Sequence, residues 1–295
     1  MTEMEMSLSD QASGRRDYIC AEVDDDTVVP ETRLSLWERL YNVDAIRRTA
    51  IIFVLALAWE AYGRWLDNPL IFPSLELTLQ ALWTGLVAGE LARDILASLQ
   101  TLLTGYLAGV AVAFVLTVAA ISSRIGNDLL TTLTSMFNPL PAIALFPLAL
   151  IWFGLGASSI VFVLIHSVLW AVALNTNSGF RGVSKTLPMV GRNCGLGGMA
   201  LIVKVILPAA LPSVLSGLKI GWAFAWRTLI AAEMVFGVAS GEGGLGWFIL
   251  QSKNSLETPS VFAGLLAVIL VGLVVEFLLF RVIERSTVER WGMMQ

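Results

Sequence analysis

Between Asp128 and Arg181 the chain runs for 52 residues with a single ionisable side chain, His166. One helix needs about 20 residues to cross the hydrocarbon core of a bilayer. The stretch is therefore two spans, joined by Gly154-Leu155-Gly156-Ala157-Ser158 as an outer turn. The first of them contains Pro139, Pro141 and Pro147. Backbone broken at membrane depth is tolerated only where protein or a water-filled cavity surrounds it. Pro139 and Pro141 are thus candidate residues of a pathway.

The rest of the chain follows the same pattern. Hydrophobic residues make up 56% and charged residues 14%, with a mean hydropathy of +0.76. Those values exclude an ordinary soluble domain and indicate an all-α integral membrane protein. A first span covers about 49–66, held inside by Arg47 and Arg48 and ended outside by Asp67-Asn68-Pro69. Residues 75–88 read as a helix in the outer interface. The second span begins near Ile95 and is uncharged until Arg124; Gly105, Gly109 and Ala113 recur every fourth residue, which lets another backbone approach closely.

Past the double span lies the one long polar, glycine-rich segment of the second half, about 181–208. It carries Arg181, Lys185, Arg192 and Lys204 and no acid. Clustered Lys and Arg in a short loop mark the cytoplasmic side, so this loop is expected to touch a cytoplasmic partner. A short helix over 191–204 suits that contact. The following helix carries a stripe of Ala209, Ser213, Gly217, Gly221 and Ala225. From 208 to 238 it would rise about 46 Å against a core of about 30 Å, so its start should project into the cytoplasm. Lys219 would mark the inner boundary by snorkelling, leaving 220–238 as the span and 237–258 as an outer loop. The last span is about 260–282, ended by Arg281, Arg285 and Arg290. Six spans with both ends inside satisfy the positive-inside rule.

The first 32 residues hold nine acids against Arg15 and Arg16, a net of −7 in a chain of net −4. So acidic a tail, 1–32, buries too little apolar surface to order itself. Residues 33–48 place Trp37, Leu40 and Tyr41 at helical spacing, an amphipathic helix lying in the interface. The membrane-spanning body would be 49–285, followed by a short cytoplasmic tail, 286–295. Cys20 and Cys194 both fall on the reduced, cytoplasmic side and give no metal-ligand spacing.

The glycine-rich segment also carries a resemblance. Gly195, nine residues, Val205, one residue, then Leu207-Pro208 resembles the Gly-x9-Ile-x-Leu-Pro half of the coupling-loop motif of ATP-binding-cassette importer permeases. Ala225-Trp226 and Ala231-Ala232-Glu233-Met234 are similar to the nitrate/taurine/alkanesulfonate group. So are Asn138-Pro139-Leu140-Pro141, Trp152-Phe153-Gly154 and Gly244-Leu245-Gly246. The usual Glu-Ala-Ala at the motif's start is Met189-Val190-Gly191 here. The resemblance spans about 91–284. It implies a homodimer of permease chains, two cytoplasmic subunits that bind ATP-Mg, and an extracytoplasmic binding protein that delivers solute. It also implies a bacterial cytoplasmic (inner) membrane as the location. Gly191-Arg192-Asn193-Cys194-Gly195-Leu196-Gly197 with Leu207 and Pro208 would be the contact to the ATPases.

Two glycine runs imitate nucleotide sites. Gly179-Phe180-Arg181-Gly182-Val183-Ser184-Lys185-Thr186 has Ser184 where a phosphate loop needs its second glycine, and it follows a membrane helix rather than a strand. Gly241-Glu242-Gly243-Gly244-Leu245-Gly246 matches the dinucleotide fingerprint in letters, again with no strand before it. No cofactor, metal or nucleic acid is therefore expected on this chain.

The intramembrane polar residues are Glu60, His166, Arg227, Glu233 and Glu276. Each should face protein or water, since a charge at the bilayer centre costs about 2.5–3.5 kcal/mol on insertion scales. His166 reads as a hydrogen-bonded packing residue or a pathway residue. Glu233 and Glu276 read as helix fasteners or solute contacts. Arg227 has no acid on its own helix face; it either pairs with Glu60 or Glu276 or meets an anion in the pathway. No His-Glu-x-x-His, Gly-x-Ser-x-Gly or paired intramembrane aspartates appear, which argues against the alternative of an intramembrane enzyme. Six spans with the coupling motif argue against an ion-gradient-coupled carrier.

Overall fold

The computed structural model describes residues 42–236 and 243–289, and every regular element among them is helical. The acidic tail 1–32, the amphipathic helix expected over 33–48 up to residue 41, Gly241, Glu242 and Arg290 lie outside the described residues. The chain divides into two units, 1–55 and 56–295. In the first, Arg47 pairs with Asp44 one turn before it. The account below concerns the second.

Helix α1 is Asp44–Leu66 and α2 is Leu75–Ala88, whose first turn is capped by the Ser74 side chain. Gly89, at φ 84, turns the chain into α3, Glu90–Ser122. Ser123 caps α4, Arg124–Phe137, by accepting from the Gly126 amide at 2.9 Å. Pro139 and Pro141 then break the helix. Proline lacks the N–H an α-helix needs and forces the residue before it out of helical geometry. The chain resumes as a 3-10 turn, Ala142–Leu145, and α5, Phe146–Phe153. The two halves of this span meet at 89°.

Helix α6, Ala157–Gly182, is the centre of the bundle. Its most apolar window is 61% buried, against 28% or less for the other four long apolar helices. Small residues on its neighbours allow this. A Cβ added to Gly105 or Gly109 of α3 would lie 2.6 and 2.8 Å from the Cβ atoms of Leu164 and Val168. With no hydrophobic force between helices in lipid, such close backbone approach is what holds them together.

After α6 come α7, Thr186–Asn193, and α8, Gly198–Leu201. A π turn, Ile202–Ile206, leads without a break into α9, Leu207–Phe236. The stripe expected on α9 packs on α6. Gly179 meets Ser213, Gly217 meets Asn175, and Gly221 meets Val172, with virtual Cβ contacts of 2.5–3.0 Å. Tyr106 Oη of α3 donates to the Leu218 carbonyl at 3.0 Å. Helix α10, Leu245–Asn254, follows, then α11, Thr258–Val274, a π turn Val275–Phe280, α12, Arg281–Glu284, and a last π turn, Arg285–Glu289. Five helices are long and apolar enough to cross a membrane, or six where the bent pair counts as one span.

Three expectations are corrected. Residues 237–258 are not only a loop, since α10 stands inside them. The short helix of the basic segment is Thr186–Asn193, not 191–204, because Gly195 ends it at φ 78. There the Leu196 amide donates to the Gly191 carbonyl and the Gly195 amide to that of Arg192, the two bonds of a Schellman cap. Lys219 is not a snorkelling boundary. The α6–α9 contacts set it level with about residue 173, roughly 14 Å short of the Gly182 end. Its Nζ lies 3.0 Å from carboxylates of both Glu276 and Glu284. Two acids on the last helix supply the counter-charge that water would otherwise have to supply.

Candidate functional site

The corner of the broken span, α6 and α9 enclose a cavity of about 350 Å³. The corner contributes Asn138 and Leu140 to Ile143, α6 contributes His166 and Trp170, and α9 contributes Phe224, Arg227 and Thr228. Non-helical backbone therefore lines a cavity, the one setting in which membrane-depth breaks are tolerated. Of the residues the sequence singled out, Pro141, His166 and Arg227 meet here. Pro139 forms the corner but is not among the lining residues.

Arg227 is the one charged group on the cavity wall. Its Nε donates to the Ala223 carbonyl at 3.1 Å, and its guanidinium carbon sits 5.0 Å over the Phe224 ring. No carboxylate among the described residues lies within ion-pair distance of it. The acids that could have neutralised it are engaged elsewhere: Glu60 with Arg64 at 2.5 Å, Glu276 with Lys219. Among the described residues the ion-pair reading of Arg227 is thus not realised. The α6–α9 contacts also place it along the bundle. Continued along the helices, they set Arg227 beside about residue 165, roughly 12 Å from the Ala157 end of α6. It lies toward the end opposite the 183–206 connection, not near it.

Both His166 ring nitrogens are buried, and neither has a partner at full hydrogen-bond geometry among the described residues. The Phe137 backbone is the polar group nearest to supplying one. Its ring stands edge-on to Trp170 at 6.0 Å, and Trp170 stacks on Phe137 at 5.9 Å. The Trp170 indole N–H is likewise unpartnered. Phe224 and Trp170 were not read from the sequence, since an aromatic on an apolar span carries no positional signal by itself.

Glu233 is elsewhere. It is 5% exposed, and Ser98 Oγ of α3 lies 2.8 and 2.9 Å from its two carboxylate oxygens. The Gly246 amide donates to it at 2.8 Å, and the Leu245 amide donates to Ser98 Oγ at 2.8 Å. The glycines of Gly244-Leu245-Gly246 make room for this. A Cβ on Gly244 would stand 2.3 Å from the carboxylate, and one on Gly246 would stand 2.5 Å from the Ile230 carbonyl. Close approach, not a phosphate, explains the fingerprint-like run. The other imitation also dissolves, since Gly179 and Gly182 are turns of α6 itself.

At the opposite end α7 packs through Gly191, where a Cβ would fall 2.5 Å from Leu201 Cδ1 and 3.3 Å from Val205 Cγ2. The outward face of α7 is apolar: Leu187 is 42% exposed and Val190 52%, with Cys194 exposed one turn on. These stand at i, i+3 and i+7, one stripe of a helix. Arg192, Asn193, Leu196 and Gly197 complete the turn, with Leu207 and Pro208 at the start of α9.

Residues 105–288 match the family described as "Binding-protein-dependent transport system inner membrane component". A putative ABC transporter permease of Methanocaldococcus jannaschii is 30% identical over 81% of this chain and 90% of its own length. The putative aliphatic sulfonates transport permease of Escherichia coli is 32% identical over 70% and 77%. The taurine transport system permease of the same organism is 27% identical over 76% and 82%.

Proposed function

The chain belongs to the family of inner-membrane components of binding-protein-dependent transport systems, and from that premise we propose how it works as the permease subunit of an ATP-driven importer. Two copies enclose a pathway for a small anion, of the sulfonate or taurine kind handled by the similar permeases or another organic acid. The observation that carries this reading is Arg227, a guanidinium without a carboxylate partner among the described residues, on the wall of a cavity lined by no acid. Arginine stays charged and offers a fork that fits carboxylate or sulfonate oxygens. A second copy is supported by the bare face of α9, where Ser216, Ile220, Phe224 and Arg227 are exposed in the single chain.

The 186–206 segment is the contact to two ATPase subunits. The apolar stripe on α7 supports a docking role, and Gly191 fixes α7 against the start of α9, so force on one moves the other. ATP-Mg belongs to those partners and this chain holds no cofactor. Arg124, Arg181, Lys185, Arg192 and Lys204 at this end, with no acid from 181 to 208, support a cytoplasmic orientation. Both termini then lie inside, with 49–285 as the membrane domain. A binding protein delivers solute at the other face. ATP-driven closure of the ATPases turns the pathway outward, and hydrolysis resets it.

The test is uptake into proteoliposomes holding the permease with its ATPase subunits. Uptake should require ATP and the binding protein with no ion gradient present. Uptake driven by a proton or sodium gradient without ATP would overturn the importer reading in favour of a coupled carrier.

A further inference from the structure

We infer that Glu233 is a positioning residue that fastens helix α10 to the far end of the α8–α9 lever, so that α10 moves with the segment at the opposite face. This rests on the importer reading above. From Gly198 to Phe236 the backbone is helical throughout, including its π turn. At about 1.5 Å per residue its path is roughly 58 Å long, bends at the π turn and at Pro212 included. One end is locked to α7 through Gly191, Leu201 and Val205. The other end carries Glu233, three residues from the end of α9.

The Glu233 carboxylate meets the first turn of α10, where backbone N–H groups have no intrahelical partner and the helix dipole favours negative charge. It takes the Gly246 amide directly and the Leu245 amide through Ser98 Oγ. The junction is buried and tight, with no space for a Cβ at Gly244 or Gly246. The Gly246 bond at 2.8 Å and the Ser98 bridge tie the ends of α9 and α10 into one corner.

That corner borders a polar hollow of about 450 Å³ lined by Glu90 and Asp94 of α3 and Trp247, Gln251 and Glu257 around α10. Gly243 lets Trp247 and Asp94 close on it, at 2.8 and 3.1 Å from its virtual Cβ. A shift of α10 therefore reshapes the surface at the end opposite α7. Coupling between two distant surfaces requires one element whose position both can bias, and the lever with its Glu233 corner is that element.

The experiment compares wild type, Glu233→Gln and Glu233→Ala, each assembled with its ATPase subunits. Nitroxide labels at Trp83 on α2 and Gln251 on α10 report the α10 position by pulsed electron resonance, in nucleotide-free and vanadate-trapped complexes. Wild type should show a shift in that distance on trapping. Glu233→Gln keeps a carbonyl for the Gly246 amide and should keep most of the shift. Glu233→Ala should lose it, with basal hydrolysis within about twofold of wild type and binding-protein stimulation reduced by about tenfold or more. Should Glu233→Ala fail to assemble, Ser98→Ala leaves the Gly246 bond and should give an intermediate shift. A wild-type α10 that stays still on trapping, or an alanine variant that keeps both shift and stimulation, overturns the inference. If uptake nonetheless requires ATP in either case, the importer reading stands without it; ATP-independent uptake sinks that reading instead.

Discussion

The guanidinium of Arg227 lies 5.0 Å over the ring of Phe224, and that ring with the Ala223 carbonyl is the company it keeps among the described residues. Neutralising a cation so placed removes one contact with an aromatic ring, worth about 0.5–1 kcal/mol at an exposed site, and breaks no ion pair among the described residues. Arg227→Gln should therefore assemble and unfold thermally much as wild type does, keep ATP hydrolysis, and lose uptake of an anionic solute by about tenfold or more. Arg227→Lys should recover part of the loss, since charge remains but the planar fork does not. A glutamine variant with wild-type uptake removes Arg227 from the pathway, and one with lowered thermal stability reveals a partner from the second copy.

Gly191 and Gly195 should behave differently although four residues apart. Gly195 has open space around it but φ 78. Gly195→Ala should cost about 1 kcal/mol of local stability and leave transport near normal, while a bulky Gly195→Trp, exposed beside the docking stripe, should uncouple hydrolysis from uptake or block assembly. Gly191→Leu meets Leu201 and Val205 head-on and must tilt α7 away from the lever. It should hydrolyse ATP without driving uptake. Full coupled transport by Gly191→Leu would remove the α7–lever contact from the mechanism.

Lys219 is shared by Glu276 and Glu284, with side chains between 27% and 50% exposed. Lys219→Met leaves two carboxylates without a counter-charge. Because the groups are partly exposed, the loss should be about 1–2 kcal/mol, below the figure for fully buried pairs. Adding Glu276→Gln and Glu284→Gln to Lys219→Met should restore the melting temperature in detergent. No recovery in the triple variant would show that the lysine acts through packing alone.

Orientation can be read by single-cysteine labelling in sealed, right-side-out vesicles, on a chain whose own cysteines are replaced. Cysteines at Asn68 and Gly243 should react with a membrane-impermeant reagent, and those at Arg124 and Arg192 should react only after permeabilisation. Strong labelling from outside at position 192 would invert the topology and with it the roles of the two faces.

The sequence by itself determined that the chain is a multi-span helical membrane protein. Spans are written in one dimension, as charge-free runs long enough to cross a bilayer. The corner of the broken span was legible too, since Pro139 and Pro141 cannot continue a helix whatever surrounds them. The small-residue stripe of α9 was visible because its period belongs to the helix alone. What only the tertiary structure decided is who partners whom. Glu233 and Ser98 are 135 residues apart, and nothing along the chain marks them as a pair. Glu60, Glu276 and Arg227 were equal candidates for one another until packing gave the first to Arg64 and the second to Lys219. The position of Lys219 along the membrane likewise required the α6–α9 contacts, because hydropathy fixes where a helix is apolar and not how far it slides past its neighbours. Gly195 fell inside the short helix expected over 191–204 and is instead where the observed helix stops, a matter of one dihedral that spacing does not encode. Periodicity reports on a helix and its solvent; a buried polar group is settled by which other helix brings its partner.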